Sequence, residues 1–190
     1  MTADAETPHI GLIVEGPGDQ GAVPLLLRSW RQKQADFRDL LGKPIRTNGR
    51  DRALREAGLE GYVYAAAARP GCRAVLIVLD GEGDPVCKLG PILRDRAKAA
   101  TDKDIVVALA DPMFEAWIVA SAETMELAGL AFAAAPNPAT LIRRALASVA
   151  YAKPTWQPRL TARMDFDRAI PRSASLKRLL ARFDQLVDAF

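Results

Sequence analysis

Residues 10–20 read IGLIVEGPGDQ, an apolar run that ends in Glu15 and passes through a Gly-Pro-Gly turn into the start of a helix. His9 to Val14 reads as a buried strand. Asp19 to Gln34 sets Ala22, Val23, Leu26, Leu27 and Trp30 at helical spacing. The unit is strand, turn, helix, with an acid at the strand's carboxyl end. Pro24 fits a helix only in its first turn, which moves the predicted start toward Ala22.

The same arrangement recurs further along. Arg73 to Leu79 (RAVLIVL) is a nearly continuous apolar run rich in β-branched residues, followed by Asp80-Gly81-Glu82-Gly83-Asp84, and helix is expected from Pro85 to Ala100. Ile105 to Ala110 predicts another strand. Asp111-Pro112 predicts a helix start, with Asp111 as N-cap and Pro112 at the first helical position; Phe114, Trp117, Ile118 and Ser121 then share a face. Between the first two units, Pro44 to Thr47 suits a short strand and Arg50 to Ala68 a helix broken near Gly58 and Gly61. Alternating strands and helices imply an α/β fold: a mainly parallel sheet with right-handed crossovers, flanked by helices.

That pattern covers residues 1–122. From 123 to 190 only helix and loop remain: a break at Pro136-Asn137-Pro138, a helix over Ala139 to Ala150, and a polar connection from Tyr151 to Pro158. A last amphipathic helix carries Leu176, Leu179, Leu180, Phe183, Val187 and Phe190 on one stripe. This stretch is expected to form a helical extension packed on the core.

Composition sets outer limits. A chain of 190 residues suits one domain with an appendage. Lys and Arg number 26 against 23 Asp and Glu, a balance too even to announce a nucleic-acid binder by its overall field. Cys72 and Cys87 lack metal-ligand spacing and read as reduced thiols of a cytoplasmic protein. The start of the chain is acidic rather than basic, and no apolar run reaches the ~18 residues of a membrane span. A soluble, unexported protein is expected.

Gly16-Pro17-Gly18-Asp19-Gln20-Gly21 matches the dinucleotide-binding pattern G-x-G-x-x-G. Against that reading, Pro17 stiffens the turn, Glu15 and Asp19 put negative charge beside the phosphate position, and no acid ends a second strand ~20 residues on. The alternative takes the acids as metal ligands. In an open α/β sheet, ligands bind beyond the carboxyl ends of the strands, where both Glu15 and Asp80 fall. Two carboxylates ~4 Å apart repel by a few kcal/mol at an effective dielectric near ~20, which calls for a cation or a shared proton. Mg²⁺, or Mn²⁺ in its place, suits such hard oxygen donors and leaves positions for water and phosphate.

Bland readings stand beside these. Asp80 to Asp84 is ordinary turn chemistry, lacks the ligand spacing of an EF-hand, and offers Asp84 as an N-cap for the next helix. Asp111 also suits a capping role, and Glu115 a place near a helix dipole. Arg143, Arg144, Lys153, Arg159, Arg163, Arg168, Arg172, Lys177, Arg178 and Arg182 suit either a phosphate backbone or a solvated face. His9, the lone histidine, starts a strand and supports no Ser-His-Asp arrangement.

Val14-Glu15-Gly16 and Leu79-Asp80-Gly81-Glu82, in this order, resemble the Toprim superfamily, which sets a glutamate and a D-x-D pair at strand ends. Glu82 departs from the second Asp of that pair. The blocks FEAW (Phe114 to Trp117), YAKPTWQPRLTARMD (Tyr151 to Asp165) and RSASLKRLL are similar to a Toprim-like family of bacterial proteins of unknown function, associated with ATPases in anti-phage defence. The resemblance implies Mg²⁺-dependent phosphodiester chemistry. Glu15, Asp80 and Glu82 would be the catalytic acids, and the same three with Asp84 the metal ligands. Asp19, Glu115 and Asp111 would be secondary candidates, and Lys88, Lys153, Arg159 and Arg163 would hold a nucleic-acid substrate. Gly18-Asp19 stands where a common Toprim pattern has Thr-Glu. A noncatalytic interaction subunit of the same fold is the alternative, and an ATPase partner or an oligomer fits either.

Overall fold

A computed structural model describes residues 7–147 and 149–190. The acidic start of the chain lies outside these residues, as does Ser148 within the expected helix over residues 139–150. The four strands β1 (His9–Val14), β2 (Ile45–Arg46), β3 (Cys72–Asp80) and β4 (Asp104–Ala110) form one sheet in the order β2-β1-β3-β4. Every neighbouring pair is parallel, with Val14 opposite Val78 and Asp80 opposite Ala110. The fold is α/β with an all-parallel sheet, as expected.

Because β-strand side chains alternate, one sequence period supplies two cores. Ile10, Leu12, Val14, Leu76 and Val78 face helices α1 (Pro17–Lys33), α5 (Phe114–Val119), α6 (Pro138–Ala145), α8 (Phe166–Arg172) and α9 (Ala174–Asp188). Ile13, Val75, Ile77, Val107 and Leu109 face α2 (Arg50–Leu54), α3 (Gly58–Ala67) and α4 (Val86–Ala99). Helices therefore cover both sides, which explains the unalternating apolar runs of β1 and β3. The helices after residue 122 share the first of these cores with the sheet itself. The end of the chain is tied down as well: Asp184 on α9 accepts from Trp30 Nε1 at 3.0 Å and pairs with Arg31 at 2.8 Å. Among the described residues no helix is long and apolar enough to cross a membrane.

Several local expectations change. Helix α1 starts at Pro17 and keeps Pro24 in its interior, because the apolar face of Ala22, Val23, Leu26 and Leu27 is fully buried and outweighs the lost backbone bond. Helix α5 starts at Phe114, with Met113 at its N-cap, so Asp111-Pro112, joined by a cis peptide, precedes it. The predicted polar connection from Tyr151 to Pro158 is mostly helix: α7 runs Lys153–Thr161, with Pro154 in its first turn. Asp84 makes no capping bond to α4, whose N-cap is Pro85.

Glycines show how tightly some of these elements meet. Gly21 of α1 lies where an added Cβ would come within 2.9 Å of Pro158 Cγ on α7, while Gly61 of α3 faces open space. Gly61→Ala is therefore expected to stabilise the protein by about 0.5–1 kcal/mol, the backbone-entropy gain of removing a helical glycine. Chemical denaturation reads the sign directly.

Candidate metal and phosphate site at the strand switch

Strand order reverses between β1 and β3, since the chain passes from β1 to one side of the sheet and from β3 to the other. In such sheets the crevice beyond the strand ends at the reversal is the natural ligand site. Glu15 follows the last residue of β1 and Asp80 is the last residue of β3. Glu15 Oε2 accepts the Asp80 backbone N–H at 3.1 Å. Thr47 N–H donates to Val14 O at 2.9 Å and Gly49 N–H to Glu15 O at 3.3 Å, so the loop after β2 pins the backbone under Glu15.

Two further acids arrive from helices. Asp19, in the first turn of α1, accepts the Gly16 N–H at 2.9 Å. Glu115, in the first turn of α5, is completely buried. Its Oε1 accepts from Tyr151 OH at 3.0 Å and Gln157 Nε2 at 3.3 Å, and lies 3.3 Å from Lys153 Nζ. Lys153 Nζ also stands 3.7 Å from Asp80 Oδ2. Asp80 Oδ1 accepts the Phe114 N–H at 2.8 Å, so this acid also holds the start of α5. FEAW and the Tyr151 to Gln157 block, far apart in sequence, thus meet at one carboxylate.

The electrostatics follow from this crowding. Burial pushes Asp80 well above the ordinary carboxylate range, and Asp19 and Glu15 push it further. Burial also raises Glu15 and Asp19, against the hydrogen bonds from Asp80 and Gly16 that favour their charged forms. At Lys153, burial alone would lower the pKa, but Glu115, Asp80 and Asp19 together outweigh it and the net shift is upward. Among the described residues, Lys153 is the only cation within 4.0 Å of these four carboxylates. Asp19 Oδ1 and Glu115 Oε2 are buried with no hydrogen-bond partner.

Groups whose folded pKa is raised hold more protons folded than unfolded at pH values between the unfolded and folded pKa. Stability therefore falls as pH rises through that window, which opens at the ordinary values of 3.8 and 4.5 for Asp and Glu. In chelator, the melting temperature of the wild type relative to Asp80→Asn is expected to decline from the lower end of that window toward neutral pH. A thermal scan across pH checks this, and a constant difference would count against the buried acid cluster.

The remaining candidates lie elsewhere. Glu82 adopts a φ of 49° and Gly83 one of 89°, a left-handed turn that carries the loop away from the strand tip. Glu82 sits 3.7 Å from Arg50, and Asp84 pairs with the same guanidinium. Glu82 is still close enough to Glu15 to add to its upward shift. Asp111 is exposed, and its N–H donates to Ser175 Oγ at 3.3 Å. Lys88 is exposed on α4. Arg159 lies 5.6 Å over the Trp156 ring, and Arg163 pairs with Glu126 at 3.2 Å and donates to Met125 O at 2.9 Å. Of the four expected substrate cations only Lys153 reaches the acids. Sequence chemistry does not point to Arg50, and Tyr151 and Gln157 fall in a block marked only by its resemblance.

The glycine-rich turn has a different use from phosphate binding. Asp19 occupies the Gly16 N–H, and a Cβ on Gly18 would overlap the Gln157 side chain and come within 3.0 Å of Lys153 Cβ. Gly18 and Gly21 are small so that α7 can lie against α1 and deliver Lys153 and Gln157.

When ionised, the four carboxylates outweigh the one ammonium, and two carboxylate oxygens lack partners, so the donor set fits a hard divalent cation by its chemistry. As placed, however, no group of three or more His, Cys, Asp or Glu among the described residues is spaced to hold a metal ion. Lys153 supplies the positive charge instead. Comparison with protein-family models, curated proteins and solved structures finds no match.

Proposed function

We propose that the chain is a metal-dependent nuclease that hydrolyses phosphodiester bonds, with Glu15 and Asp80 holding Mg²⁺ or Mn²⁺ and Asp19 beside them. The observation that carries this reading is the convergence of Glu15, Asp19, Asp80 and Glu115 at the strand switch point with Lys153 as their one close cation among the described residues. Glu82, a ligand the Toprim resemblance implies, joins this set only by leaving Arg50. When bound, the cation neutralises the scissile phosphate and activates water. Glu15 Oε2 is engaged by the Asp80 N–H, so Oε1 is the oxygen that would hold the cation. Lys153, on a flexible stem, turns from Asp80 and Glu115 to a phosphate oxygen of the substrate. Glu115, fixed by Tyr151 and Gln157, holds the start of α7 so that Lys153 stays in reach.

The resemblance supports nucleic acid as the substrate, a cytoplasmic effector role in bacterial defence, and an ATPase partner. A second reading, a noncatalytic interaction subunit, is favoured by Lys153 already neutralising part of the cluster. Titration with Mn²⁺ separates the two. The nuclease reading expects saturable binding that Asp80→Asn weakens at least about tenfold, a loss of ~1.4 kcal/mol. Absence of binding by the wild type would support the noncatalytic subunit.

A further inference from the structure

The sheet has two unlike edges. Among the described residues β2 contributes only Ile45 and Arg46, whereas β4 spans seven residues and pairs with β3 alone. A strand edge of that length leaves alternate N–H and C=O groups without a ladder partner, and proteins ordinarily shield such edges with charge, proline or a covering element. Here a groove of about 270 Å³ runs along the free edge, with Val107 to Leu109 as floor and α4 and α9 as walls.

The walls carry a consistent charge. Arg94 of α4 and Arg178 and Arg182 of α9 line the groove, and no acidic residue does so. Among the described residues Arg94 pairs only with Asp95 on its own helix, at 3.3 Å, and its Nε is buried without a partner. Arg178 and Arg182 are exposed and form no ion pair among the described residues. Val86, Pro91 and Leu179 add apolar surface to the lining, and Ser175 adds a hydroxyl.

We propose that this groove docks an extended, acidic segment of a partner protein, which adds to β4 as a fifth strand. Main-chain bonds to the β4 edge would give affinity, apolar side chains at alternate positions would enter the groove, and acidic side chains between them would meet the three arginines. A second copy of this chain, paired β4 to β4, would bring the same three arginines to the groove a second time, whereas an acidic segment brings the opposite charge. A nucleic-acid strand would use the arginines but leave the strand edge unpaired.

The test is selection of a displayed library of random twelve-residue peptides on the full-length protein, followed by affinity measurement with the enriched peptides. Enrichment of acidic residues alternating with β-branched ones is expected. Binding should fall roughly tenfold or more in Arg178→Glu/Arg182→Glu, since like charges then face the peptide. It should also fall in Gly90→Leu, because Gly90 lines the groove and has open space where a Cβ would stand. N-methylation of alternate peptide residues should abolish binding, a result that charge attraction alone does not predict. No enrichment, or enriched peptides that bind both variants unchanged, would overturn the proposal. So would a labelled single-stranded oligonucleotide that binds the wild type and loses binding in the same variants.

Discussion

Asp80→Asn is expected to lower Mg²⁺- or Mn²⁺-dependent phosphodiester cleavage by about 10³-fold or more, on the order of 4 kcal/mol of transition-state stabilisation, while raising the melting temperature of the metal-free protein. The two effects have one cause. Asp80 is held at 5% exposure among Glu15, Asp19 and Glu115, so its charge destabilises the free fold and is useful only when a cation is present. Asparagine keeps an oxygen for the Phe114 N–H, so the start of α5 should survive. A rise of about 3 °C corresponds to roughly 1 kcal/mol in a chain of this size. Saturating Mn²⁺ should stabilise the wild type, by ~2.7 kcal/mol at about a hundred times its dissociation constant, and the variant by no more than about half of that at the same concentration. A nuclease assay beside thermal melts with and without Mn²⁺ reads both halves. A variant that melts lower and cleaves normally would reduce Asp80 to a helix-capping residue.

Gly18→Val is expected to destabilise the protein by about 2–3 kcal/mol, or ~4–12 °C, through overpacking. The new side chain would stand on Gln157, itself completely buried, and against Lys153 Cβ. Since α7 must then move away from α1, activity should fall even at temperatures where the fold persists. Gly61→Ala, facing open space, is the control of opposite sign. If Gly18→Val melted normally and lost only affinity for a nucleotide, the dinucleotide reading of the turn would return.

What could be read from sequence followed from local periodicity. The strands at His9, Cys72 and Asp104 and the parallel sheet were legible because buried parallel strands leave uninterrupted apolar runs. Glu15 and Asp80 were legible because strand ends in an open sheet are where ligands bind. The start of α5 was misplaced because Asp111-Pro112 has the chemistry of a helix cap, while Asp80, a tertiary partner, fixes the start at Phe114. Helix α7 was hidden by its prolines: Pro154 sits in the first turn, where it suits a helix, and the cost of Pro158 is outweighed by packing of Leu160 and Gln157 against the core. The Glu115, Tyr151, Lys153 and Gln157 cluster was beyond local reading, since it joins residues up to 42 positions apart. The diversion of Glu82 and Asp84 to Arg50 depends on a left-handed turn that sequence alone left open.

The central claim is that Glu15 and Asp80 share a divalent cation at the strand switch point. It is tested most directly by the anomalous difference map of a crystal soaked in Mn²⁺. The account predicts one strong peak at about 2.1 Å from oxygens of both Glu15 and Asp80, with Lys153 Nζ displaced from Asp80. A map without a peak there, with Lys153 still seated between Asp80 and Glu115, would contradict it.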